Sequence, residues 1–170
     1  MADPNHQSTP DWEKRLIESL PLFGHRNWIV VADSAYPAQS SPGIETIVAS
    51  ASQIEVVQAA VNAIAASTHV KALIHLDQEL AHVPESDAPG VDDYRRQLEA
   101  LLSSSHVDHM PHDEIIARLD QASRVFRILI FKTPMTIPYT SVFFELDCRY
   151  WTADAEHRLR HKMQSKRQSD

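Results

Sequence analysis

Apolar positions along this chain recur at two spacings, one helical and one extended. In residues 11–20 (DWEKRLIESL), Trp12, Leu16 and Leu20 return every four residues, which predicts one face of a short helix. Pro21 follows, and Phe23-Gly24-His25 reads as a turn. Residues 28–33 (WIVVAD) are apolar without interruption up to a carboxylate, the pattern of a buried strand with Asp33 at its C-terminal edge. The Ser- and Pro-rich stretch 34–43 predicts loop, and 44–49 a short strand. Ser52 is a natural N-cap, with Glu55 completing a capping box, for a helix carrying Ile54, Val57, Val61 and Ile64 on one face.

A second buried strand is expected over 70–76 (VKALIHL). The acidic stretch 77–93, with its two prolines and one glycine, is expected to be a surface excursion. A helix should run from about Asp93, with Tyr94, Leu98, Leu101 and Leu102 inward. Another should open with Pro111 in its first turn and bury Ile115, Ile116 and Leu119. Strands are expected over 125–131 and 142–146. Beyond Trp151 the tail is polar and basic, although Leu159 and Met163 would permit a short helix. Strands alternating with helices predict an α/β fold, a single layered domain with a central sheet flanked by helices. The expected division is a flexible start (1–10), the domain (11–150) and a polar tail (151–170).

Composition narrows the function classes. With 170 residues and a net charge of −7, the chain lacks the basic balance of a nucleic-acid binder. Three glycines leave no glycine-rich phosphate cradle, and a single cysteine, Cys148, allows no internal disulfide. No apolar run is long enough to span a bilayer, and the polar start does not resemble a signal peptide, so a cytoplasmic protein is the default expectation.

The candidate chemistry centres on Phe23 to Pro37 (FGHRNWIVVADSAYP), where His25 and Asp33 flank the first buried strand. Polar groups at strand ends and in flanking loops can converge on one cleft. By residue type alone, His25 also reads as a turn histidine and Asp33 as a cap. His106, His109 and His112, interleaved with Asp108 and Asp113, admit three readings: a metal site, one ligand-contacting histidine, or plain surface histidines. His75, inside an apolar strand, reads as a core or interface histidine.

The pair Gly24-His25, the strand 28–32, Asp33 and Pro37 together resemble the RbsD/FucU family of sugar mutarotases and pyranases. Pro138-Tyr139-Thr140-Ser141 before VFFEL is similar to the family's Tyr-x-Asn motif, with Ser141 where the family has asparagine. A single hydroxyl thus stands for a two-ended amide. Glu145 or Asp147 could replace that amide if either faced the cleft; otherwise both belong to a solvated face or an interface. His112-Asp113-Glu114 resembles the pyranase form of the family's helix start, whereas residues 33–40 (DSAYPAQS) look more like the fucose mutarotase branch. The longer of these two matches favours a fucose-like or other pyranose over ribose.

The resemblance implies an isomerase that opens and recloses a monosaccharide ring by acid/base chemistry, with no cofactor and no metal. His25 would be the catalytic residue, since an imidazole can give and take protons near neutral pH. Asp33, His112, Tyr139, Thr140 and Ser141 would bind the sugar. It also implies a ring-like homo-oligomer, often a decamer, with the site at a subunit boundary, and neither nucleic acid nor membrane as partner. The competing expectations are a non-catalytic sugar-binding or regulatory module on the same scaffold, and a metal enzyme built on residues 106–112.

Overall fold

The computed structural model describes residues 9–167, so most of the expected flexible start lies outside the described residues. The fold is a six-stranded sheet with helices on both faces. Its strands are β1 (Trp28–Ala32), β2 (Ile44–Val48), β3 (Val70–Asp77), β4 (Val107–Met110), β5 (Ile128–Lys132) and β6 (Val142–Cys148), in the spatial order β2-β5-β1-β6-β3-β4. β1 pairs in parallel with β5, β2 with β5 and β3 with β4, while β6 lies antiparallel between β1 and β3. Five strands therefore run one way and β6 runs against them.

The apolar run WIVVA is buried at every position, as a strand covered on both faces must be. On one face, α1 (Asp11–Ser19), α2 (Gln53–Ala66) and α3 (Val91–Leu102) pack Leu16, Val57 and Leu98 against Val31, Phe131 and Phe144. On the other, α4 (His112–Ser123) places Ile115 and Leu119 on Trp28, Val30 and Phe143. Each fully buried Leu, Ile or Phe contributes about 1.5–3 kcal/mol. Ser52 caps α2 and forms both halves of the capping box with Glu55.

The structure revises several expected boundaries. Residues 77–93 are not simply a surface excursion: a 3-10 turn over Gln78–His82 buries Leu80, Ala88 and Val91 are buried, and α3 opens at Val91 after a left-handed Gly90 (φ 93°). Strand β4 was not expected. Only Val107 and Met110 of its four residues are apolar, because this edge strand has one neighbour and leaves Asp108 and His109 exposed. Pro111 stands at the N-cap of α4 rather than in its first turn. β5 begins at Ile128, and Val125 is exposed. After β6 the chain forms α5 (Ala153–Arg167), with none of its side chains buried among the described residues. Among those residues, no helix is long and apolar enough to cross a membrane.

Candidate functional site

Because β1, β3 and β4 run in the same direction, Asp33, Asp77 and His112 follow or end strands at one edge of the sheet, where β6 begins just after Ser141. A crevice outside the carboxyl ends of parallel strands is where ligands bind in open α/β sheets. Here such a cleft of about 520 Å³ is walled by Asp33, Tyr36, His112, Ile116, Ile137 and Tyr139.

Each wall residue is held by its own local structure. Asp33 Oδ1 accepts the Ala35 N–H at 2.8 Å, fixing the loop after β1, and Oδ2 lies 3.5 Å from the Ser141 hydroxyl. Tyr139 has a left-handed backbone (φ 59°), a conformation that costs an aromatic residue about a kcal/mol or more. Its ring stands nearly perpendicular to the His112 imidazole, at 80°, with centroids 5.6 Å apart. That backbone is pinned from beneath: the Thr140 carbonyl accepts from Gln53 Nε2 (2.8 Å) and from the Tyr94 hydroxyl (2.7 Å).

His112 is the most firmly placed of the polar groups. Its backbone N–H donates to both Glu79 oxygens at 3.1 Å, so a carboxylate from the 3-10 turn caps α4. Its ring Nδ1 lies 3.0 Å from Asp77 Oδ1. The Asp77 side chain is fully buried, and Oδ2 has no hydrogen-bond partner among the described residues. Burial pushes the Asp77 carboxyl up to about 6, with His112 opposing the shift. Burial likewise raises the Tyr36 hydroxyl above the usual phenol range.

Of the residues singled out in the sequence, Asp33, His112 and Tyr139 line the cleft, and Ser141 lies behind Asp33. Thr140 does not reach it: the residue is fully buried and its hydroxyl donates to the Ile137 carbonyl at 2.8 Å. His25 lies elsewhere. It precedes β1 and Asp33 follows it, and five residues at about 3.3 Å each set the two ends of this strand some 16 Å apart. At that opposite edge His25 Nδ1 meets Asp147 Oδ1 at 2.9 Å, and Asp147 also faces Lys71 at 3.4 Å. Glu145 bonds His75 Nε2 at 3.1 Å, so neither carboxylate of β6 takes the place of the missing amide in the cleft.

The three clustered histidines also separate. His106 precedes β4 and pairs with Asp108, His109 faces a groove beside α3, and His112 heads α4. Among the described residues, no group of three or more His, Cys, Asp or Glu could hold a metal ion. His75 is a core histidine, 2% exposed and stacked near Trp28. Asp77 and Glu79 were not picked out from the sequence. The signal was present, since LIHLD repeats the pattern of IVVAD, an apolar strand ending in a carboxylate.

The profile of the RbsD / FucU transport protein family matches residues 9–145. The chain belongs to this family. Solved structures of its members share the fold. RbsD of Bacillus subtilis complexed with D-ribose is 15% identical, covers 86% of this chain and 98% of its own, and superposes with a TM-score of 0.57. FucU of Bifidobacterium longum is 17% identical over 81% of this chain and 96% of its own, with a TM-score of 0.54. The fucose mutarotase of Streptococcus pneumoniae in complex with L-fucose is 19% identical over 82% and 92%, with a TM-score of 0.50. No curated protein matches the chain by sequence. This RbsD/FucU member carries α5 beyond the matched region.

Proposed function

We propose that this RbsD/FucU protein is a monosaccharide mutarotase or pyranase, interconverting anomers or ring forms of a fucose-like or ribose-like sugar in the cleft at Asp33, His112 and Tyr139. The observation that carries this reading is the convergence of those three side chains on one crevice in a chain of this family. Two structural neighbours with the same fold were crystallised with D-ribose and with L-fucose.

Mutarotation needs one group to protonate the ring oxygen and another to take the anomeric hydroxyl proton; the open aldehyde then recloses on either face. The Asp33 carboxylate accepts sugar hydroxyls, His112 donates or accepts through its outward nitrogen, and the Tyr139 ring packs on the pyranose. His25 supplies the acid/base from a neighbouring copy of the chain, because within one chain β1 stands between it and the cleft. The site then lies at a subunit boundary, as the family resemblance implies, and Ser141 steadies Asp33 rather than spanning the sugar.

A second reading is a non-catalytic sugar-binding module. It is favoured by the engagement of His25 with Asp147, away from the cleft. Saturation-transfer NMR between the anomeric protons separates the two. Acceleration by the wild-type protein, lost by about 10²-fold or more in His25→Ala, is the expected outcome. Binding without acceleration for any common pentose or hexose would leave only the module.

A further inference from the structure

We propose that Asp77 is a positioning residue for the cleft, which fixes the His112 imidazole with its proton on Nδ1 and leaves Nε2 free to exchange a proton or hydrogen bond with the ligand. This inference rests on the cleft being the sugar site, and it assigns a role to a residue outside the family motifs. Geometry carries it. Asp77 Oδ1 lies 3.0 Å from His112 Nδ1, and an ionised carboxylate only accepts, so the nitrogen must donate. The carboxylate is completely shielded from solvent, which strengthens its hold on the ring. Glu79 fixes the His112 backbone through its N–H, and the Tyr139 ring stands nearly perpendicular against the imidazole.

A histidine oriented at one nitrogen by a buried carboxylate can take a proton at the other and return it, with the carboxylate stabilising the cation between the two steps. No net proton is gained or lost by His112 over a ring opening and reclosure. The charged and titratable groups facing Asp77 are His112 from α4, Glu79 from the 3-10 turn and Asp33 after β1. Tyr36 of the following loop and Tyr94 of α3 also face it. Protonation of Asp77 near pH 6 replaces a pure acceptor with a carboxyl that can also donate to Nδ1, and so weakens the tautomer preference.

The test is long-range 15N–1H correlation NMR of the free protein, with the His112 signals assigned by their loss in His112→Gln. In wild type at pH 7.5 the neutral ring should show Nδ1 protonated and Nε2 bare. Asp77→Asn should give mixed tautomers, and Asp77→Glu should restore the single one. The anomer-exchange rate of Asp77→Asn should fall by about tenfold or more, part of the roughly 10²–10⁴-fold that acid/base groups supply, with KM changed much less. The acid limb near pH 6 should move as well. An unchanged tautomer in a folded Asp77→Asn protein overturns the proposal, as does an unmoved pH profile. Absence of sugar exchange in the wild type sinks the catalytic reading instead, and the tautomer measurement still decides the role of Asp77.

Discussion

At the scale of single residues, the cleft concentrates groups that are costly to keep. Tyr139 holds a left-handed backbone, and among the described residues one Asp77 oxygen and the Tyr36 hydroxyl are buried without a partner. Such features persist when the surroundings over-determine them, and they gather at functional sites. The raised Asp77 pKa has a consequence for stability whose sign is fixed. Between about pH 4 and 6 the folded chain keeps a proton that the unfolded chain has released, so stability present below pH 4 is lost as pH rises through about 6. A shift from 3.8 to about 6 corresponds to at most about 3 kcal/mol. Asp77→Asn, which cannot ionise, should therefore gain on the wild type between pH 4 and pH 7, by up to that amount, in urea unfolding at both values. An equal gap at the two pH values would contradict the burial argument.

At the scale of elements, the link between the helical layer and the cleft is Gln53. This side chain, 1% exposed at the start of α2, donates to the carbonyls of Val31 and Thr140 and accepts from the Thr133 hydroxyl. It ties the end of β1, the loop after β5 and the approach to β6 to one point. Gln53→Ala removes three buried hydrogen bonds, although the Thr140 carbonyl keeps the Tyr94 hydroxyl and the Thr133 hydroxyl keeps the Ala32 carbonyl, and should cost about 2–4 kcal/mol, read as a fall in Tm of several degrees. Sugar affinity should weaken with it, because the segment carrying Tyr139 loses one of the two bonds that hold it.

Elements of this kind were readable from the sequence where the pattern was strong: WIVVA, the Ser52–Glu55 box and the spacing of Ile115 and Leu119 fell where expected. β4 was not, because an edge strand half open to water carries little apolar signal. Asp77 was hidden for a related reason: it begins an acidic stretch, and only the fold shows that its side chain turns inward. Asp33, Tyr139 and His112 were legible as separate motifs. That they meet, and that His25 does not join them within one chain, depends on strand direction and length, which no local pattern records.

At the scale of the whole molecule, the opposed positions of His25 and the cleft make an assembly prediction. If each site draws His25 from one chain and His112 from another, two inactive variants should rescue one another. His25→Ala and His112→Ala, each inactive alone, should regain activity when unfolded and refolded together, with about a quarter of the sites carrying both histidines in a random mixture. Persistent inactivity of the mixture, with assembly of the size seen for wild type, would place both residues in one chain's site or remove His25 from it. The chain is acidic overall, yet α5 carries Arg158, Arg160 and Lys162 on its exposed surface.

The position of β1 also sets the order in which the molecule can be made. Its neighbours are β5 and β6, so Trp28 pairs with Ile128 and Glu145, more than a hundred positions further along the chain in the second case. A chain emerging from the ribosome exposes its most apolar strand early and can cover it only near the end of synthesis. Contacts this distant in sequence slow folding and lengthen the time for which bare strand edges are open to other chains. The arrangement that gathers strand ends into one crevice therefore leaves WIVVA without its β6 partner until residues 142–148 are free to pair.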